Sequence, residues 1–254
     1  MKLFDLNGRV AVITGGNAGI GLGMAKGLAA AGAAIVVAGR RAERNVEAAR
    51  AIETLGGNAA ALEVDVCNEK SCRSLLERTI ERFGRVDILV NNAGIAIRKQ
   101  PETYTLAEWT RVIDTNLTGA FLCAQAAHPH MQRGNGGKIV NIGSMLSIFG
   151  ASYATPYAAS KGAIVAMTKA LACAWAKDNI QVNAMLPGWI DTPLTQTARN
   201  EVHGLHERIL ARTPAGRWGE PQDLAGTAVF LASSASDFVS GAAIPVDGGY
   251  SAQG

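Results

Sequence analysis

Histidine and cysteine are too few and too scattered in this chain to suggest a metal centre or a disulfide framework. The four cysteines, Cys67, Cys72, Cys123 and Cys173, have no paired spacing and lie in apolar segments, which predicts reduced core thiols. Of the four histidines, His203 and His206 stand three apart, but nothing nearby completes a ligand set, so a solvated helix face is expected and no metal. Lys and Arg exceed Asp and Glu only by a net charge of +3, and no basic run is interleaved with aromatics, which argues against a nucleic-acid partner. The longest apolar stretches are broken by glycine and are too short to cross a bilayer. The first residues, Met1-Lys-Leu-Phe-Asp-Leu-Asn-Gly8, lack an apolar signal region, so a cytoplasmic location is expected. Repeats, linkers and low-complexity tracts are missing too, and 254 residues suffice for one large domain over 1–254.

What the chain does have is alternation. Short β-branched runs at 9–13, 34–38, 59–64, 86–90, 138–142, 180–185 and 242–246 alternate with helical patterns. The predicted fold is α/β: a doubly wound Rossmann arrangement, with a parallel sheet of about seven strands and helices on both faces. Directly after the first run comes Thr14-Gly-Gly-Asn-Ala-Gly-Ile-Gly21, then a helical pattern. Four glycines within seven positions, between strand and helix, let backbone N–H groups approach a pyrophosphate at a helix N-terminus. The spacing is Gly-x-x-x-Gly-x-Gly rather than the commoner Gly-x-Gly-x-x-Gly.

In a parallel sheet, the loops at carboxyl ends of strands line the ligand crevice. Where an NAD-preferring site places an acid after the second strand, this chain reads Gly39-Arg40-Arg41. Guanidinium groups there suit a 2′-phosphate, which favours NADP(H) over NAD(H); the alternative is two solvated residues opening the next helix. Asp65, followed by Val66, is placed either to meet an adenine amino group or, like Asn68, to cap the helix predicted over 69–83. Asn91-Asn-Ala-Gly94 ends the fourth strand, where small and amide side chains let a nucleoside pass and pin neighbouring backbones. A long helix is predicted over 106–131, and Asn116 within it is costly enough to suggest a local distortion. Residues 189–213 have no clean periodicity and follow a strand broken by Pro187-Gly188, where a substrate lid would sit.

Tyr157 and Lys161 stand one helical turn apart, with Ser144 upstream. A free tyrosine ionises near pH 10, about three units too high for neutral acid/base work, and an adjacent ammonium is expected to lower that value.

Taken together, these stretches resemble the short-chain dehydrogenase/reductase family across essentially the whole chain. Thr14-Gly-x-x-x-Gly-x-Gly21 is similar to its cofactor loop and Asn91-Asn-Ala-Gly94 to its strand-four motif. Asn116, Ser144, Tyr157 and Lys161 resemble its catalytic tetrad, with Ser144 thirteen residues before Tyr157. The resemblance implies hydride exchange between a nicotinamide and a carbonyl or secondary alcohol. It makes Tyr157 the acid/base, Ser144 the holder of the substrate oxygen, and Lys161 a ribose ligand. Asn116 would anchor a proton-relaying water. Cofactor contacts are implied at Gly15, Asn17, Gly19, Ile20, Gly21, Arg40, Arg41, Asp65, Val66, Asn92, Ala93 and Gly94. Further contacts are implied at Tyr157, Lys161, Pro187, Gly188, Ile190 and Thr192. Many NADP-preferring members carry a basic residue where this chain has Ala18. Residues 136–147 and 214–221 resemble sugar-acid members such as gluconate 5-dehydrogenases and 2-deoxy-gluconate 3-dehydrogenases. 3-Oxoacyl-carrier-protein reductases and broad carbonyl reductases are similar as well. Substrate contacts are expected at Ser144, Trp189 and Arg98, the last meeting a carboxylate with Lys99 unless both are solvated loop cations. Homotetramers are common in the family. A cofactor-sensing protein without catalysis is the alternative of another class.

Overall fold

A computed structural model describes residues 2–253. The elements run β1 (Val10–Thr14), α1 (Gly19–Ala30), β2 (Ala34–Gly39), α2 (Ala42–Glu53), β3 (Ala59–Glu63), α3 (Glu69–Phe83) and β4 (Ile88–Asn91). Then come α4 (Leu106–Ile113), α5 (Gly119–Arg133), β5 (Gly137–Ile142), α6 (Thr155–Trp175) and β6 (Ile180–Pro187). The chain closes with α7 (Pro193–Glu201), α8 (Leu205–Arg212), α9 (Ala225–Ala232) and β7 (Ala243–Val246). All seven strands form one parallel sheet in the order β3-β2-β1-β4-β5-β6-β7. The order reverses between β1 and β4, which opens a crevice beyond their carboxyl ends.

Both faces of the sheet are covered, which is why its central strands read as unbroken apolar runs. Ala11, Ile13, Ile35 and Val37 point to one face, against Met24 and Leu28 of α1, Ile52 of α2 and Leu231 of α9. Val10, Val12, Val36 and Ala38 point to the other, against α3, α5 and Leu171 of α6.

Four sequence expectations change. The helix over 106–131 is two helices joined by a π-helical turn at Asp114–Thr118, so the distortion anticipated at Asn116 is real. Pro187 does not break β6; it is its last residue, paired with Val246, and the break falls at Gly188. The stretch 189–213 is largely helical. Thr192 accepts from the Thr195 N–H to cap α7, and Pro193 opens that helix where a missing N–H costs nothing. Cys72 and Cys123 are buried as expected, but Cys67 and Cys173 are exposed, because they fall on the outward side of their segments.

Candidate active site

A groove of about 760 Å³ runs over the carboxyl ends of β1, β2, β3 and β4. Its floor is the turn between β1 and α1. Gly15 and Gly19 take φ of +64° and +50°, where side chains are strained. A Cβ on Gly21 would lie 2.3 Å from the Gly15 carbonyl oxygen and 2.5 Å from Asn92 Nδ2. Asn92 explains the crowding: its Nδ2 donates to the carbonyls of Thr14 and Gly15, each at 3.0 Å. In return, Thr14 Oγ1 accepts from the N–H groups of Asn92 and Ala93, each at 3.1 Å. The turn is thus tied to the end of β4, while Ala18 leaves the α1 N-terminus without a side-chain cap. Those free N–H groups and the helix dipole suit a phosphate.

The far rim carries Arg40, Arg41 and Arg44. None of the three has an ion-pair partner among the described residues. Two cations at the start of α2 oppose its dipole, a local cost that an anionic ligand would offset. Behind them Asn45, fully buried, donates to the Gly39 carbonyl at 2.7 Å and the Leu62 carbonyl at 2.9 Å, and accepts from Asn17 at 2.6 Å. Asp65 and Val66 line the third side. Asn68, not Asp65, caps α3, accepting from the Ser71 N–H at 3.0 Å; Asp65 instead closes a turn onto the Cys67 N–H.

A smaller cavity of about 140 Å³ opens off this groove. Ile20, Asn92, Gly94, Thr192 and Leu194 line both spaces, so the two are continuous. Ser144, Tyr157, Lys161, Arg98 and Trp189 line the inner one, as do Pro187, Gly188 and Ile190. The chain leaves β5 through Gly143, where a Cβ would meet Leu186 Cδ2 at 2.3 Å, and turns at Ser144. Ser147 Oγ, on the same turn, donates to the Lys161 carbonyl at 2.7 Å, fixing the turn to α6. Gly188 is held tightly as well, since a Cβ there would lie 2.6 Å from Asp247 Cα.

Asn116 lines neither space. It is 1% exposed, and its amide is committed to the Ile95 N–H (2.8 Å), the Ile95 carbonyl (3.0 Å) and Ser160 Oγ (3.1 Å). Ser160 Oγ donates onward to the Tyr157 carbonyl at 2.7 Å. The π-helical turn therefore anchors the loop after β4 to the turn of α6 that carries Tyr157.

The expected lowering of the tyrosine pKa does not hold. Burial pushes the Tyr157 phenol up, against smaller downward effects from the Ser144 hydroxyl and the Arg98 charge. Lys161 is itself only 4% exposed, and burial brings its ammonium down to about 8. Its Nζ donates to the Ile142 carbonyl at 2.7 Å and lies 5.6 Å from the centre of the Tyr157 ring. Desolvation outweighs mutual charge effects in so enclosed a place.

Arg98 and Lys99 part company. Lys99 pairs with Glu108 outside the cavity. Arg98 lines it, with a side chain 12% exposed and paired at 3.0 Å to Glu201. Sequence reasoning missed Arg44, Asn45 and Glu201, and quoted Thr14 without giving it a role. Arg44 was findable as a third cation one turn along the same helix. Asn45 was findable as an amide interrupting the Ala48-Ala49-Ile52 stripe, whereas nothing local marks Glu201.

Comparison with known proteins gives the chain a family. A family model described as enoyl-(acyl carrier protein) reductase matches residues 15–251. The chain belongs to the short-chain dehydrogenase/reductase family of oxidoreductases. It is 44% identical over 254 residues to 2-dehydro-3-deoxy-D-gluconate 5-dehydrogenase of Escherichia coli (strain K12), covering 100% of this chain and 99% of that one. It is 42% identical over 247 residues to 5-keto-D-gluconate 5-reductase of Escherichia coli (strain K12), covering 97% of each. The fold matches a crystal structure of a gluconate 5-dehydrogenase from Burkholderia cenocepacia J2315 in complex with NADP and tartrate. The TM-score there is 0.95 at 41% identity, over 100% of this chain and 99% of the other.

Proposed function

We propose that this chain is an NADP(H)-dependent dehydrogenase/reductase that interconverts a ketone and a secondary alcohol on a sugar acid of the gluconate type. One observation carries the reading: Ser144, Tyr157, Lys161 and a guanidinium, Arg98, line a single small cavity continuous with the glycine groove. A ketone with a carboxylate elsewhere on its carbon chain matches that set of groups. The 2-dehydro-3-deoxy-gluconate and 5-keto-gluconate named for the relatives have this chemistry.

The groove fits a dinucleotide, since glycines stand where any Cβ would intrude and unpaired cations stand where a 2′-phosphate would add charge. Gly15, Asn17, Gly19, Ile20 and Gly21 would cradle the pyrophosphate, Arg40, Arg41 and Arg44 the 2′-phosphate, and Asp65 and Val66 the adenine. Asn92, Ala93, Gly94 and Lys161 would border the nicotinamide riboside, and the backbone from Pro187 and Gly188 to Ile190 and Thr192 its carboxamide. NAD(H) fits the same cradle and lacks only the group that the arginines would hold. When bound, the nicotinamide supplies or accepts the hydride.

The protein's share is a proton and a position. Tyr157 Oη, kept protonated by burial, gives its proton to the ketone oxygen as that oxygen gains negative charge. Ser144 Oγ holds the same oxygen. Lys161 brings a positive charge to the enclosed site and stabilises the phenolate left when Tyr157 gives up its proton, while Asn116 keeps the Tyr157 turn in place through Ser160. In the oxidising direction Tyr157 first gives its own proton up to solvent, and the resulting phenolate takes the alcohol proton.

Residues 189–213 act in this reading as a lid on a single NAD(P)-binding domain over 1–254. The protein works in the cytoplasm, where its free thiols stay reduced. It works as a homotetramer, to which the exposed apolar Leu106, Trp109 and Phe121 would contribute. No helix of the described residues is long and apolar enough to cross a membrane. The discriminating experiment pairs the Tyr157→Phe variant with a screen of keto acids, 3-oxoacyl thioesters and neutral ketones with both cofactors. Keto-gluconates are expected to be reduced best with NADPH. Tyr157→Phe should lose on the order of 1,000-fold in kcat with cofactor affinity retained. Full turnover in that variant, or a preference for thioesters, would overturn the proposal.

A further inference from the structure

Among the described residues, Glu201 is the one carboxylate that reaches the guanidinium in the cavity. It stands at the last residue of α7, 3.0 Å from Arg98 Nη1, while Arg98 Nη2 donates to the Leu194 carbonyl at the other end of the same helix, at 3.3 Å. Arg98 therefore holds both ends of the helix whose first residues, Pro193 and Leu194, border the cofactor groove. The two partners sit in different surroundings: the Arg98 side chain is 12% exposed and that of Glu201 is 49% exposed.

We propose that Glu201 is a built-in competitor for the substrate's carboxylate, and so a specificity-determining positioning residue of the lid. This rests on the sugar-acid reading given above. An exposed carboxylate gains little from such a pair and recovers its hydration when released. An anionic substrate in the cavity meets the same guanidinium from the enclosed side, where the pair is less screened. The substrate carboxylate displaces Glu201, frees the end of α7 and leaves Arg98 bridging substrate and Leu194. A neutral ketone has nothing to exchange for Glu201, and the clasp stays shut on Arg98. Arg98 thereby favours acids, while Glu201 weakens every acid by the cost of opening the clasp.

Two measurements on the NADPH-dependent full-length enzyme test this. The first is the KM for 5-keto-D-gluconate divided by the KM for the neutral ketose 5-keto-D-fructose, in wild type, Glu201→Gln and Glu201→Ala. Removal of the competitor should lower that ratio by about two- to fivefold, through the KM of the acid and with little change in its kcat. The second is the affinity of tartrate for the NADP⁺-loaded protein by titration calorimetry, which needs no turnover. It should tighten by a similar factor in both variants, and the gain should shrink at high salt. An unchanged ratio and unchanged tartrate affinity in variants that still bind NADP⁺ would overturn the clasp. So would a rise in the acid's KM, since Glu201 would then support the site rather than compete for it. If wild type reduces no keto acid yet tartrate tightens in the variants, the sugar-acid reading fails and the clasp stands. If keto acids are reduced and neither measurement moves, the reverse holds.

Discussion

On the floor of the groove, Asn92, Thr14, Asn17 and Asn45 fix backbone to backbone: each of these hydrogen bonds ends on a main-chain group or on another of the four side chains. Over the mouth of the cavity, α7 and α8 rest on packing, with the Arg98–Glu201 and Arg199–Asp191 ion pairs beside it. A small separate core of Trp189, Ala198, Leu205, Ile209 and Trp218 supports them, with Arg199 stacked 3.8 Å over the Trp218 ring. The indole Nε1 of both Trp189 and Trp218, and Nε of Arg199, have no hydrogen-bond partner among the described residues. A dinucleotide is the same molecule whatever the substrate, so its site can be built from backbone with no spare space. A lid must exchange contacts when substrate enters, and packed rings with two partly exposed ion pairs, Arg98–Glu201 and Arg199–Asp191, change partners more cheaply than a closed amide network.

The floor breaks first and hardest. Gly21→Ala puts a methyl group 2.3 Å from the Gly15 carbonyl and 2.5 Å from Asn92 Nδ2, neither of which can yield without opening the turn. NADPH affinity should fall by about 100-fold or more, with about 1–3 kcal/mol lost in stability. Titration calorimetry with NADPH, beside chemical unfolding, checks both. An alanine variant that binds normally would mean that the floor is as adaptable as the lid.

Between the two regions, Lys161 offers a test by pH. Its ammonium falls from an ordinary 10.5 to about 8 on folding, so the unfolded chain binds more protons between those values. Stability conferred by this group is therefore lowest below pH 8 and is recovered as pH rises to about 10.5. The displacement corresponds to about 3 kcal/mol against the charged form. Lys161→Met removes that burial cost together with the donor to the Ile142 carbonyl, so the stability of the cofactor-free variant relative to wild type should be more favourable at pH 7 than at pH 10 by roughly 2–3 kcal/mol. Its activity should be lost at every pH. Urea unfolding at pH 7 and pH 10 gives the difference, and a gap independent of pH would show Lys161 already neutral or well hydrated.

The same contrast explains what was legible in the sequence. Much of the floor could be read because its demands fall on residue type at fixed spacing: glycine where Cβ would collide, an amide where two carbonyls converge. Asn45 and the role of Thr14 could not, because their partners include groups on or just beyond other strands. The strand alternation and the helix at Glu69–Phe83 were legible for the same reason, and Asn116 announced its π-helical turn by its poor fit to a helix. The lid was not legible. Its helices are short, and the partners of its ring cluster, from Trp189 to Trp218, lie far apart along the chain. Arg98 and Glu201 are 103 residues apart, and no local pattern ties them. The protonation of Tyr157 failed for another reason, because sequence supplies a neighbouring charge but not the desolvation that outweighs it.

Arg40 stands at the edge of the floor, where side chains rather than backbone do the recognising. Arg40→Asp should shift the preference from NADPH toward NADH by about tenfold or more, read as the ratio of kcat/KM values. The effect is smaller than that of Gly21→Ala because Arg41 and Arg44 remain on the same rim. An unchanged ratio would move the phosphate clamp to those two residues.

The smallest effect is expected in the lid, from Trp218→Phe. The substitution loses part of a ring 8% exposed, its stacking under Arg199 and its edge contact with Trp189, whose ring centre lies 5.7 Å away. It also removes a buried N–H with no partner, a group whose desolvation opposes folding by about 1–3 kcal/mol. The two changes nearly cancel, so thermal unfolding should register a net change within about 1 kcal/mol. Trp218→Ala, which removes the packing as well as the donor, should cost about 3–5 kcal/mol. If Trp218→Phe proves as damaging as Trp218→Ala, the indole N–H is doing bonding work, and the lid is held by directed contacts like the floor. If it is nearly silent while Trp218→Ala is not, ring packing rather than the indole N–H supports α7 and α8, and the lid is free to exchange its few polar contacts when substrate arrives.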